Sequence, residues 1–248
     1  MANWPDPRST SAGFGGVNAG AVRADHDAGL RSYMLSIYNY MASGVLVTGL
    51  VAMLFAPYAM QVLISPNGHG LSLLGWVIFL APLGFVMTLN FGINRLQTST
   101  AQLLFWGYSL VNGLSLSVIF LAYTNTSIAQ AFFATAAGFA GLSLFGYTTK
   151  RDLSPFGTFL IMGVFGILIA MLLNIWLQST ALALAISILG VLVFAGLTAY
   201  DTQKLKSMYS YVAGTDQMGK VVIMGALNLY LDFINMFLFL LRLFGSRR

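Results

Sequence analysis

The chain has 248 residues, 58% hydrophobic and only 8% charged, with 12 Lys and Arg against 7 Asp and no Glu. A soluble domain carries about 25% charged residues, so this composition excludes an ordinary cytosolic enzyme and, by its apolar content, a disordered chain. With 0 Cys, disulfides, thiolate metal sites and cysteine nucleophiles are excluded too. The net charge of +5 does not point to nucleic acid, because the cations are scattered between apolar blocks.

Residues 1–30 are rich in Gly, Ala and Asp and hold no apolar stretch of signal-peptide length. They are expected to form a mobile cytoplasmic tail ahead of a membrane domain over 31–248. Beyond it the charges fall into a pattern. Arg31 and Arg95 are separated by 63 residues without Asp, Lys or Arg, Arg95 and Lys150 by 54, and Asp152 and Asp201 by 48. A membrane helix needs about 20 apolar residues, so each blank holds two spans and an uncharged turn. With a last apolar stretch near the C-terminus, the sequence predicts an all-α polytopic membrane protein, a seven-transmembrane-helix bundle. The expected spans are residues 34–56, 72–92, 101–123, 127–148, 156–178, 181–203 and 221–244.

Turn chemistry supports the breaks. Ser65-Pro66-Asn67-Gly68, Tyr123-Thr124-Asn125-Thr126 and Gln178-Ser179-Thr180 form three hairpin tips. The linkers between hairpins carry Arg95, then Lys150 and Arg151, then Lys204, Lys206 and Lys220, whereas the tips have no Lys or Arg; His69 is an isolated loop residue. The positive-inside rule then puts the N-terminus and the linkers in the cytoplasm. Arg242, Arg247 and Arg248 conflict with it, because a full seventh span would carry them to the other side. Either the last helix re-enters, or its burial overrides the rule; a full span is the preferred expectation.

Ionisable residues inside a span are costly and are functional candidates by default. Asp232 lies ten residues before Arg242 and twelve after Lys220, so it is about 15 Å from either end at about 1.5 Å per residue. It belongs to a polar stripe, Gly225, Asn228, Asp232 and Asn235, on one helical face of the last span. A helix with one polar seam belongs at the centre of a bundle. Thr198 and Asp201 make a shorter seam on the sixth span, expected to face the first. If the two carboxyls meet, they would share a proton rather than both ionise. Their oxygens, beside amide oxygens, would suit Ca²⁺. A purely structural reading competes: Asp232 capped by Asn228 and Asn235, and Asp201 salt-bridged to Lys204 or Lys206. Arg95 is either a positive-inside anchor or a latch that reaches an aspartate. Asn112 and Asn174 are expected to make helix contacts. The small residues Ala134, Ala137, Gly138 and Gly141 are expected to line a close helix contact.

The last span reads Leu227-Asn228-Leu229-Tyr230-Leu231-Asp232-Phe233-Ile234-Asn235, followed by Leu240-Leu241-Arg242-Leu243-Phe244-Gly245. This resembles the C-terminal signature of the Bax inhibitor-1 (transmembrane Bax-inhibitor-motif) family. Ala199-Tyr200-Asp201-Thr202-Gln203 and Lys150-Arg151-Asp152-Leu153-Ser154 look like two further family positions. The likeness covers about residues 30–248, and the short tips resemble a bacterial member of the inner membrane. The resemblance implies a seven-helix bundle with the last helix central, and a pH-sensitive Ca²⁺ leak with Asp201 and Asp232 as a di-aspartyl sensor. It also matches a family arginine to Arg95. One departure is a polar stretch from Ser210 to Gly219, read as an extra loop. No resident cofactor is expected; Ca²⁺ and protons would pass through or bind weakly, with the lipid bilayer and possible membrane-protein partners as surroundings. A second function stays open: a non-conducting interaction protein that modulates membrane proteases or stress responses. An intramembrane aspartyl protease is disfavoured, because Leu229-Tyr230-Leu231-Asp232 lacks the Gly-x-Gly-Asp pattern and no proline follows Pro155. No catalytic residue is therefore assigned.

Overall fold

Apolar stretches with no soluble partner bury their backbone polar groups best as helices, and the described residues are almost all helical. The computed structural model describes residues 19–65 and 70–247, with side chains described from residue 25. It contains helices α1 (Ala19–Leu63), α2 (Leu73–Gly92), α3 (Thr98–Leu116), α4 (Ile119–Ala122), α5 (Asn125–Thr148), α6 (Ser154–Leu177), α7 (Thr180–Val212) and α8 (Met218–Phe244). Helices α3 and α4 form one span broken at Ser117, so seven units are long and apolar enough to cross a membrane. Among the described residues the only extended pairing is two isolated bridges. The first 18 residues of the expected tail, Pro66 to His69 of the first tip, and Arg248 lie outside the described residues.

Helix α8 is the centre. Of its most apolar window 67% is buried, against 11–33% in the other spans. It packs on α1, α3, α5 and α7, while α2 and α6 lie at the periphery. Its start touches the linkers, with Gly219 against Thr98. Its end reaches the second hairpin tip, where Tyr123 pairs with Arg247. Helix α8 therefore traverses the whole bundle, and the re-entrant alternative is not what the chain adopts.

Each tip starts its return helix with a hydroxyl cap. Ser72 Oγ accepts from Gly75 N–H at 2.9 Å, Thr124 Oγ1 from Ser127 N–H at 3.3 Å, and Ser179 Oγ from Leu182 N–H at 3.3 Å. At the tightest tip Gln178 takes a left-handed conformation (φ 46). There Asn174 Oδ1 accepts from Ser179 N–H at 3.0 Å, so this asparagine closes a turn rather than joining two spans.

Three expectations need correction. Residues 19–30 are not tail but the first turns of α1. Leu30 and Tyr33 are buried, and the Tyr209 ring packs on His26 and Tyr33 and covers Gly29. The polar stretch after Ser210 is not an extra loop: α7 runs on to Val212, because Leu205, Tyr209 and Val212 keep a buried stripe against α1, and only a short turn with Gly214 at φ +72 remains. The small residues Ala134, Ala137, Gly138 and Gly141 face outward, with nothing within 4 Å of a Cβ added at Gly138 or Gly141. The buried face of α5 is instead Ala131, Thr135, Phe139, Ser143 and Gly146.

Helix α6 starts beside an aspartate. Asp152 Oδ1 accepts from Ser154 N–H at 2.9 Å, and the Ser154 hydroxyl, followed by this backbone bond, holds the exposed carboxyl below its ordinary range. A group with a lowered folded pKa adds stability above its unfolded value, and that stability is lost as pH falls through the folded value. Asp152→Ala is therefore expected to lower the unfolding midpoint slightly at neutral pH, the gap from wild type closing on acidification. A gap that persists in acid would show that the Asp152–Ser154 hydrogen bonding is not the cause.

Candidate functional site

The backbone around Asp201 is anchored on both sides. Ala199 lies against Gly146 of α5, its carbonyl oxygen in the space a Cβ would fill. The Tyr200 ring fills the equivalent space over Gly157 of α6. Thr202 Oγ1 bonds Ser143 Oγ at 2.9 Å, and Ser143 in turn bonds Tyr38 OH at 2.7 Å. Gln203 accepts from Leu153 N–H at 2.8 Å and donates to Arg151 O at 2.8 Å. This single amide ties together the two stretches singled out in the sequence around residues 150–154 and 199–203. With both flanks held by α5, α6 and the linker, Asp201 is left on the face toward α8.

The register between α7 and α8 follows from two contacts. Gly225 meets Leu205, and Gly190 meets Phe239. Counting from either pair in antiparallel helices puts Asp201 level with residue 229 or nearly so. Asp232 then lies about 5 Å deeper along the axis, at about 1.5 Å per residue. The structure thus brings the two acids of the sequence analysis to neighbouring levels of one interface.

Their surroundings differ. Asp232 is 4% exposed, and its Oδ2 has no hydrogen-bond partner. Asp201 is half-buried and opens on a cavity of about 230 Å³ at the linker end, which Asn94, Lys204, Lys220 and Asn228 also line. Lys204 lines the same cavity as Asp201 without a close ion pair to it, while Lys206 donates to Tyr147 O at 2.8 Å. Among the described residues the one contact between a carboxylate and a basic side chain at ion-pair distance is His26–Asp27 at 3.8 Å. The aspartate–lysine bridge expected of a purely structural Asp201 is thus not formed.

The supporting residues divide. Asn228 lines the cavity beside Asp201. Asn235 donates to Leu231 O at 2.8 Å, and Thr198 donates to Phe194 O at 2.8 Å, each within its own helix. The expected cap of Asp232 by Asn235 therefore gives way to a bond inside α8. Arg95 is exposed in the turn between α2 and α3 and makes no ion pair with either aspartate; its neighbours Ile93 and Asn94 line the cavity instead. Among the described residues no cluster of three or more His, Cys, Asp or Glu could hold a metal ion.

One polar node went unread in the sequence. Tyr230 OH bonds Thr48 Oγ1 at 2.6 Å and accepts from Asn112 Nδ2 at 2.8 Å, which joins α1, α3 and α8 two residues from Asp232. Tyrosine in an apolar span reads as core filler; Asn112 was the only signal.

The chain matches the family model described as Inhibitor of apoptosis-promoting Bax1 over residues 30–248. It is 48% identical to the Inner membrane protein YbhL of Escherichia coli over 225 residues, 89% of this chain and 94% of that protein. The similarity to the protein RP147 of Rickettsia prowazekii is 47% over 225 residues, 90% of this chain and 92% of that one. A protein of Caulobacter vibrioides is 45% identical over 237 residues, 92% of this chain and 94% of its own length. A match of this length, on a bundle built around the helix that carries the C-terminal signature, places this seven-span membrane chain in the Bax inhibitor-1 family.

Proposed function

We propose that the protein is a pH-sensitive calcium leak of the bacterial inner membrane, with Asp201 and Asp232 as its shared proton and cation site. The observation that carries this reading is the placement of Asp232. A carboxyl at mid-span, with one oxygen unpartnered, costs stability that asparagine would not. Its neighbour Asp201 opens on a cavity at the linker end, which gives an ion a route to that carboxyl. Two carboxylates and the Asn228 amide fall short of the six to eight oxygens of a stored Ca²⁺; they suit an ion in passage. Protons and Ca²⁺ compete for the same oxygens, with Lys204 and Lys220 as the charged groups facing the cavity. Arg95, in the turn between α2 and α3, is the candidate latch, next to Asn94 of the cavity lining. The basic linkers and the N-terminus face the cytoplasm under the positive-inside rule. No covalent step is part of this reading.

The test is Ca²⁺ entry into liposomes that hold the purified protein and an indicator dye. Wild type is expected to show a severalfold change in flux across neutral pH, and Asp201→Asn or Asp232→Asn to flatten it. An unchanged pH profile in both variants removes the sensor. No flux from folded wild-type protein would instead favour a non-conducting partner of other membrane proteins.

A further inference from the structure

The end of α8 carries two cations that the calcium reading does not use. Arg242 and Arg247 lie at the hairpin-tip end, both exposed. Among the described residues neither forms an ion pair. The chain has no Glu, and its described aspartates sit at the linker end (25, 27, 152, 201, 216) or, for Asp232, inside the bundle. No described side-chain carboxylate is therefore available to these arginines.

Both arginines open on one cleft of about 940 Å³. It exists because α6 packs chiefly on α7, which leaves a gap between α6 and the end of α8. One wall is apolar, with Leu168, Leu172 and Leu184; the rim is polar, with Asn174 and Thr180. Asn174 Oδ1 is engaged by Ser179 N–H, so its NH₂ remains as a donor. The position of Arg247 is fixed by the chain around it. Thr124 N–H donates to Ser246 O at 3.2 Å, and Ser246 N–H donates to Ser127 Oγ at 3.0 Å. Trp176, 79% exposed near the end of α6, marks the headgroup level, where tryptophan is favoured. Cationic groups at that level and leucines below them match the two ends of a lipid.

The geometry points to a binding site for an anionic phospholipid, its phosphate held by the Arg242 and Arg247 guanidiniums and an acyl chain lying along the leucine wall. The planar guanidinium fork suits phosphate oxygens. A bound anion there also accounts for arginines on the side that the positive-inside rule disfavours. This site is independent of the aspartate pair.

The test is thermal unfolding of the full chain in detergent with added phosphatidylglycerol, phosphatidylcholine or inorganic phosphate. Phosphatidylglycerol is expected to raise the midpoint, and the other two to leave it unchanged at equal concentration. Arg242→Gln with Arg247→Gln should weaken the phosphatidylglycerol response about tenfold or more, and Lys150→Gln with Arg151→Gln should retain it. If the double variant does not fold, Arg247→Gln alone, outside the helix, is read in the same way. A response that survives loss of the arginines, or an equal one to phosphatidylcholine, overturns the site. Stabilisation by inorganic phosphate alone overturns the lipid as its occupant.

Discussion

Gly146→Ala is expected to destabilise the protein by about 1–3 kcal/mol, the range for overpacking a close contact. Gly138→Ala, two turns earlier on α5, is expected to be neutral or slightly stabilising, since alanine is the better helix former. The two positions share a residue type and a helix and differ only in what faces them. A Cβ at Gly146 meets the carbonyl oxygen of Ala199, a backbone atom that cannot turn aside as a side chain would. The contact is relieved only if α5 and α7 separate. Ala199 is two residues before Asp201, so the same displacement reaches the aspartate interface, and under the proposed function Gly146→Ala alters Ca²⁺ flux where Gly138→Ala does not. Unfolding midpoints of the two purified variants, measured side by side, decide the matter; equal shifts would mean that α5 and α7 are not closely packed there.

Tyr230 tests the other side of the central helix. Tyr230→Phe is expected to cost about 0.6–2 kcal/mol, the worth of polar contacts between membrane helices. Thr48 keeps its bond to Ser109 O at 2.8 Å, and Asn112 loses its acceptor. Tyr230→Ala is expected to cost about 3–5 kcal/mol, because it also empties a fully buried site whose ring meets Phe105 at 6.2 Å and Tyr108 at 5.1 Å. A double-mutant cycle of Tyr230→Phe with Thr48→Val isolates the hydroxyl pair. Zero coupling in that cycle would show that the 2.6 Å contact contributes nothing.

The spans were legible in the sequence because charge is so costly in hydrocarbon that it is confined to their ends. The uncharged stretches between Arg31, Arg95, Lys150 and Asp201 therefore marked the hairpins, and six of the seven spans begin within three residues of expectation. The polar stripe of α8 told in the same way that this helix is central, since Asn228, Asp232 and Asn235 cannot face lipid. Asp201 and Asp232 stood out for the same reason.

What the tertiary structure alone decided was which apolar face meets protein and which meets lipid. Lipid tails are as apolar as leucine, so hydrophobicity does not distinguish the two sides of a membrane helix. That is why the small residues at Gly138 and Gly141 turned outward while Gly146 and Gly157 took the close contacts. It is also why Tyr230 stayed hidden among core residues. The level of Asp232 against Asp201, the continuation of α7 to Val212 and the Gln203 amide that joins α7 to the linker depend on the same choice of faces. Hydrocarbon determines where a charge must not be, and packing between helices determines which residues become neighbours.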